Sequence, residues 1–335
     1  SGEAVTIFDE FLTELSEITP AIPILIISGN HDSPDRLQYA SEILRRHHIY
    51  LVGNVPEQPE EHIEKVTLQD KYGEVDFYLL PFMKPGYVRN VFVNNVPETY
   101  ADAVREIIKR EEIDYNNKRN VLVSHQFYVG EKEGSPETCD SEVFSVGGID
   151  NVDIGAVKEF DYVALGHLHG PQKIGKETVR YSGTPLKYSF SETNHKKAAV
   201  IVDVEEKGKI NIQQIPFLPK HDMREIRGTY MEVTALDFYK DMNTDDYLHI
   251  TLTDEEDIPD AIGKLRCIYP NIMKLSYDNL RTRAAGTVRG TAEVEEKSPM
   301  ELLREFYELQ NNQPMTDEQE EIARGMMEEI WEDER

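Results

Sequence analysis

Pro23-Ile24-Leu25-Ile26-Ile27-Ser28-Gly29-Asn30-His31-Asp32 begins as a short apolar, β-branched run and ends on small and polar residues. An apolar run without polar alternation predicts a strand buried on both faces, inside a sheet covered by layers above and below. Its polar end, Gly29-Asn30-His31-Asp32, falls where the strand passes into a loop. The pattern recurs in Asn120-Val121-Leu122-Val123-Ser124-His125-Gln126 and in Tyr162-Val163-Ala164-Leu165-Gly166-His167-Leu168-His169. Such strands, alternating with helices, predict a layered α/β domain whose site lies along the strands' C-terminal edge.

Working outward, residues 4–15 place Val5, Phe8, Leu12 and Leu15 at helical spacing. Residues 34–48 and 97–113 also read as helices, 63–82 as a hairpin turning at Tyr72-Gly73, and 196–217 as two strands around Lys207-Gly208. Around 218–222 the pattern changes. A strand over 229–234, a strand over 247–252, a helix over 258–268 and a strand over 272–277 predict a small α+β domain. Residues 281–297 are small and polar without periodicity, as in a linker, and amphipathic segments follow at 299–310 and 316–331. The expected division is 1–220, 221–280, a linker at 281–297, and terminal helices within 298–335.

The 335 residues carry 36 Lys+Arg against 63 Asp+Glu, a formal charge of −27. That excludes binding nucleic acid through a broadly basic surface, so any phosphate partner needs local cations or metal ions. With 39% hydrophobic residues the chain can bury real cores and is not wholly disordered. Two cysteines, Cys139 and Cys267, make no disulfide framework. The longest apolar run, 22–27, is roughly a third of a membrane span. A soluble cytosolic protein is expected.

Four of the ten histidines lie in the three strand-end strings, beside an Asn whose carbonyl oxygen can ligate. A single strand-end histidine is usually a hydrogen-bonded structural residue; four with an Asn are a candidate ligand set. Imidazole and oxygen donors suit Mn²⁺, Fe²⁺ or Zn²⁺, and no thiolate accompanies them as a structural zinc site would require.

These strings, in this order, resemble the later motifs of the calcineurin-like metallophosphoesterases. Within that superfamily the chain resembles the SbcD family of nuclease subunits. The likeness is carried by Gly29-Asn30-His31-Asp32-Ser33-Pro34-Asp35-Arg36-Leu37, by Arg180-Tyr181-Ser182-Gly183-Thr184-Pro185-Leu186 and by Tyr188-Ser189-Phe190-Ser191-Glu192. It extends through Asp260-Ala261-Ile262-Gly263-Lys264-Leu265-Arg266, Tyr269-Pro270 and Ser298-Pro299 to the chain's end.

The resemblance implies an α/β layered metallophosphoesterase domain, a small α+β capping domain and C-terminal helices. It implies two Mn²⁺ ions, with Asn30, His125 and His167 as ligands of one and His169 of the other. His31 would be the non-ligand catalytic histidine, stabilising the transition state or protonating the leaving 3′-oxygen. Asp32 either orients that imidazole or serves as a turn residue before Ser33-Pro34. The family's Asp-x-His and Gly-Asp motifs, which supply most remaining ligands, do not occur in this sequence. The chain alone is therefore expected to carry part of the paired site, with one ion or none.

The function implied is a metal-dependent DNA nuclease, a double-strand exonuclease and single-strand or hairpin endonuclease. It would act with an SbcC-type ATPase subunit in DNA repair, recombination and replication. A small-phosphoester phosphodiesterase and a non-catalytic scaffold bridging DNA ends are the alternatives. Candidate DNA cations are Arg45-Arg46-His47-His48, Lys84, Arg89, Lys187, Lys196, Lys197, Arg281 and Arg283, with Tyr188 and Phe190 lining a groove or packed in the core. A homodimer through residues 35–48 and 97–113 is a further family expectation. The tail from 291 to 335 holds 15 acids and 4 bases, net −11, so it should not bind DNA. Leu302, Leu303, Phe306 and Tyr307, then Ile322, Met326, Met327, Ile330 and Trp331, form apolar stripes suited to docking on a partner. The resemblance makes that partner the coiled-coil base of the ATPase.

Overall fold

The computed structural model describes residues 2–93, 95–130, 136–142, 150–285, 300–301, 303–304, 306–307 and 314–332. The chain divides into two units at Pro219/Lys220. The first runs through helix α1 (Gly2–Ser16), strand β1 (Ile24–Ile27), short helices α2 (Pro34–Leu37) and α3 (Ser41–Arg45), and β2 (Ile49–Val52). The hairpin β3 (Glu64–Asp70) and β4 (Gly73–Leu80), helix α4 (Tyr100–Lys109) and β5 (Arg119–His125) follow. After them come β6 (Phe127–Val129), β7 (Asn151–Asp153), β8 (Tyr162–Gly166), β9 (Gln172–Ile174), β10 (Lys176–Tyr181), β11 (Ala198–Val204) and β12 (Ile210–Pro216).

At its centre is a six-stranded sheet in the order β3-β4-β5-β8-β10-β9. The inner strands β4, β5, β8 and β10 are parallel, while β3 and β9 pair antiparallel at the edges. Side chains alternate across the sheet. Tyr78, Leu80, Leu122 and Val163 turn to one face, where they pack with Val104 and Ile107 of α4. Val75, Val121 and Tyr162 turn to the other, against Val202, Val204, Ile210 and Ile212 of the β11–β12 hairpin. On that second face Leu79 and Val66 also meet Leu25 and Ile27 of β1. Burial on both faces is why β5 and β8 read as apolar runs. Strand β1, expected to be buried in the same way, instead pairs only with β2 in a separate two-stranded sheet, and its four residues are half-buried.

Helix α4 buries Ala103, Val104, Ile107 and Ile108, the 3.6-residue spacing of one face, and Thr99 caps it by accepting from the Asp102 N–H. In α1 only Leu12 of the predicted stripe is buried, and Val5 is exposed. Arg119, 3% exposed, ties three segments together. Its guanidinium donates to Asp70 and to the carbonyls of Gly73, Val204 and Glu205.

Several sequence expectations change. The helix expected over 34–48 is two short helices, because Ala40 takes a left-handed φ of 61° between them. The Gln38 side chain pins the break by accepting from the N–H groups of Gly53 and Asn54. Strands β9 and β10 were not read from the sequence, since β9 has only three residues and β10 opens on the polar Lys176-Glu177-Thr178 and buries only Val179 and Tyr181.

The second unit contains β13 (Met223–Gly228), α5 (Tyr230–Val233), α6 (Leu236–Tyr239), β14 (Tyr247–Leu252), α7 (Ala261–Arg266), β15 (Ile272–Tyr277), α8 (Leu280–Ala285) and α9 (Asp317–Glu332). Its three strands are parallel in the order β13-β14-β15, over a core of Ile226, Val233, Leu248, Ile250, Leu265 and Tyr269. The strand expected at 229–234 lies earlier, at 223–228. Thr229 and Glu232 instead form a capping box that starts α5. Residues 281–285, expected in the linker, are helical, because the Asn279 side chain accepts from the Thr282 N–H. The rest of the expected linker, 286–297, lies outside the described residues. So do Ser298-Pro299 and the side chains of Leu302, Met327, Ile330 and Trp331. Residues 300–301, 303–304 and 306–307 are helical, and Arg304 forms a two-pronged ion pair with Glu320 of α9 at 2.6 Å on both prongs. Among the described residues no helix is long and apolar enough to cross a membrane.

Candidate functional site

Parallel pairing fixes which strand ends meet. β5 and β8 align His125 opposite Gly166, so the loop residues His167 and His169 begin at the level of His125. β1 arrives beside them because the Phe82 N–H donates to the Ser28 carbonyl at 3.1 Å, joining the ends of β1 and β4. Ser28 is locked in turn, its hydroxyl donating to the Gly53 carbonyl at 2.6 Å.

Asn30 Oδ1 and His125 Nε2 stand 3.0 Å apart, and the His125 and His167 rings meet edge to face with centroids 5.3 Å apart. The His125 imidazole fits between two glycines. A Cβ at Gly29 would lie 2.7 Å from its Cε1, and one at Gly166 would lie 2.8 Å from its Nδ1. Burial, reinforced by the neighbouring histidines 167, 31 and 169, pushes the His125 pKa down to about 3. Burial also lowers that of His167, against the opposing pull of Glu142 and Asp150. Both rings are therefore neutral near pH 7, the form in which imidazole ligates metals. His167 adopts φ 110°, a left-handed conformation that costs on the order of 1–3 kcal/mol for a residue with a Cβ.

Beneath the cluster, the Tyr181 hydroxyl donates to the Gln126 carbonyl at 2.6 Å and accepts from the Tyr128 N–H at 2.7 Å. The Tyr128 hydroxyl reaches Ser124 at 3.0 Å. These wholly buried bonds hold the backbone on either side of His125.

His169 sits in a second polar cluster. Its Nδ1 is 2.8 Å from the Ser141 hydroxyl and 3.3 Å from Glu192 Oε1. Its N–H donates to Glu142, and its carbonyl accepts from Lys197 at 2.8 Å. Burial alone would raise the Glu192 pKa. Hydrogen bonds from Lys197, Ser141 and His169, with the Lys197 charge, outweigh it and hold the carboxyl at about 2. Cys139, Glu142 and His169 could also offer donor atoms lying within 4.8 Å of one another.

Three strand ends thus bring Asn30, His125, His167 and His169 into one region. His31 is exposed at its mouth. Asp32 closes the Gly29–Asp32 turn by accepting from the Gly29 N–H at 2.6 Å, so of its two expected roles the turn is the one its hydrogen bonding displays. Tyr188 is exposed, its ring 5.7 Å from that of His169. Lys197, expected among DNA cations, is buried on Glu192 at 2.6 Å. Arg45, Arg281 and Arg283 are paired with Glu64, Asp257 and Asp278. Arg46, Lys84, Arg89 and Lys196 are exposed. Ser141, Glu142 and Glu192 escaped the sequence reading. The only signal was Glu192 ending an otherwise apolar and hydroxyl-bearing string. An open groove of about 640 Å³ beside Leu68, Asp70, Tyr72, Phe77, Val202 and Glu205 shares no residue with the histidine cluster.

The donor set fits a divalent ion. With metal–ligand bonds of about 2.1 Å, ligand atoms at right angles in an octahedral shell stand about 3 Å apart, which is the Asn30–His125 spacing. Neutral nitrogen and carbonyl oxygen donors suit borderline and hard divalent cations alike.

A family model described as the type 5 capsule protein repressor C-terminal domain matches residues 219–311. The SbcD subunit of the nuclease SbcCD from Staphylococcus epidermidis (strain ATCC 12228 / FDA PCI 1200) is 31% identical over 333 residues, covering 98% of this chain and 83% of that protein.

Proposed function

The chain belongs to the SbcD family of nuclease subunits, and from that premise we propose that it is a divalent-metal-dependent DNA nuclease subunit hydrolysing phosphodiesters. The observation that carries this is the convergence of Asn30, His125 and His167 where three strands end, with two of their donor atoms already at ligand spacing. Asn30, His125 and His167 would hold one ion and His169 the other, with Mn²⁺ as the metal. The bound ions would supply charge neutralisation at the phosphate and an activated water.

The chain's own residues do the rest. Gly29 and Gly166 leave room for the His125 ring, and the Tyr181 bridge keeps it in place. His31, exposed beside the cluster, would stabilise the transition state or protonate the leaving 3′-oxygen. Tyr188 offers a ring face to a nucleotide at the mouth. The activities would be exonuclease on double-strand ends and endonuclease on single strands or hairpins, in DNA repair and recombination. The partner would be an SbcC-type ATPase docked on the terminal helices, where Phe306, Ile322 and Met326 are exposed. Homodimerisation through residues 35–48 and 97–113 belongs to the same proposal.

The test is calorimetric titration of Mn²⁺ into the chain and its His125→Asn and His167→Asn variants, with digestion of linear duplex DNA followed in parallel. Binding that weakens in both variants, with Mn²⁺-dependent digestion, is expected. Equal Mn²⁺ binding by all three proteins would overturn the ligand assignment. DNA binding without hydrolysis would favour the scaffold. Hydrolysis of bis-p-nitrophenyl phosphate but not DNA would favour a small-phosphoester enzyme.

A further inference from the structure

The hydrogen bonds around His169 have a direction that can be worked out. Glu192 is fully buried and its Oε2 accepts from the Lys197 ammonium at 2.6 Å. The other Lys197 donors go to the His169 carbonyl and Thr184 Oγ1, both at 2.8 Å. An ionised carboxylate only accepts. Ser141 Oγ, 2.6 Å from Glu192 Oε1, must therefore donate its single proton there. A hydroxyl that has spent its proton can only accept from its remaining neighbours. His169 Nδ1, 2.8 Å away, must be the donor. Cys139 Sγ at 3.2 Å occupies the hydroxyl's other acceptor position.

We propose that Lys197, Glu192 and Ser141 form a relay that fixes His169 as its Nδ1-protonated tautomer and leaves the Nε2 lone pair as its ligand atom. Ser141 and Glu192 are positioning residues. They act through His169, as outer hydrogen-bond partners of ligating histidines do. The inference rests on the site described above for the role of Nε2, but the tautomer itself does not depend on a metal. The relay is assembled from distant segments: Ser141 from the loop between β6 and β7, His169 from the end of β8, and Glu192 and Lys197 from the connection between β10 and β11.

Nitrogen NMR of the metal-free chain reads the tautomer directly, with His169 assigned by comparison with His169→Asn. Calorimetry with Mn²⁺ reads the consequence. Wild type should carry its proton on Nδ1. Ser141→Ala should mix the tautomers and weaken Mn²⁺ binding about 10- to 100-fold, and Ser141→Thr, which restores the hydroxyl, should recover both. The double variant Glu192→Gln/Lys197→Met removes the carboxylate without stranding a buried ammonium and should act like Ser141→Ala.

A wild-type proton on Nε2 would overturn the proposal. So would an unchanged tautomer in both variants with circular dichroism showing a native fold. A Ser141-dependent Nδ1 proton in a chain that binds no Mn²⁺ would instead uphold the relay and defeat the metal assignment.

Discussion

Gly166 lies opposite His125 in the parallel pairing of two strands, and a Cβ at position 166 would stand 2.8 Å from the imidazole Nδ1. That is closer than carbon and nitrogen approach without a shift. Gly166→Ala should therefore displace the ring from Asn30, weakening Mn²⁺ binding about 10- to 100-fold, the loss typical when a ligand is no longer held in place. Overpacking should also destabilise the fold by about 1–3 kcal/mol. Calorimetry and urea unfolding measure the two effects, and unchanged Mn²⁺ affinity would show that the glycine does not set the ring.

Acid should weaken the first unit in two stages. The His125 pKa is about 3 in the fold, against about 6.5 in an unfolded chain. The unfolded state binds the extra proton below pH 6.5, so this contribution is complete above 6.5 and is lost as the pH falls, by about 1.4 kcal/mol per unit. Glu192, at about 2 in the fold, adds a second loss below about pH 4.3. Urea unfolding of the metal-free chain at pH 7.5, 5.5 and 4 should show falling stability, with the upper stage flattened in His125→Asn. Equal slopes in wild type and variant would contradict the buried neutral ring.

Tyr181→Phe removes the hydroxyl that bridges the Tyr128 N–H and the Gln126 carbonyl. It leaves a buried donor and a buried acceptor without that partner, at about 1–3 kcal/mol. Urea midpoints should fall accordingly, and Mn²⁺ affinity with them, since the same bridge holds the chain beside His125. A loss below about 0.5 kcal/mol (the low end for a net hydrogen bond) would mean that the bridge is replaceable.

In the tail, Phe306→Glu, Ile322→Glu and Met326→Glu together should reduce capture of the coiled-coil segment of an SbcC-type ATPase at least tenfold. The thermal midpoint should hardly move, because these side chains are exposed. Surface plasmon resonance and circular dichroism separate the two effects. A large fall in the midpoint would show instead that the stripe packs on the chain itself.

Part of the six-stranded sheet was legible because burial on both faces leaves apolar runs at 121–123 and 162–165, whereas the equally apolar run at 24–27 forms a half-buried strand paired with β2 in a sheet of its own. The hairpin turn at Gly73, with φ 109°, announced itself as Tyr-Gly between two alternating segments. The histidine strings were legible as a set, since each ends one of those runs. The break at Ala40 and the strand at 223–228 were not, because each depends on a contact with a distant segment: Gln38 with Gly53 and Asn54, and the ladder from Met223 to Tyr247.

The relay around His169 shows where local pattern stops. Ser141 and Glu192 are 51 residues apart and Ser141 and His169 are 28 apart. No periodicity links them, and Lys197 looks from its neighbours like a surface cation. By itself the sequence determined that 24–27, 121–123 and 162–165 are strands and that Asn and His side chains stand at their ends. Those features follow from side-chain polarity at fixed local spacing. Only the tertiary structure decided that Lys197 is buried, that Asp32 closes a turn and that Ser141 and Glu192 belong to His169. Those depend on where long connections close and on the register in which β5 meets β8.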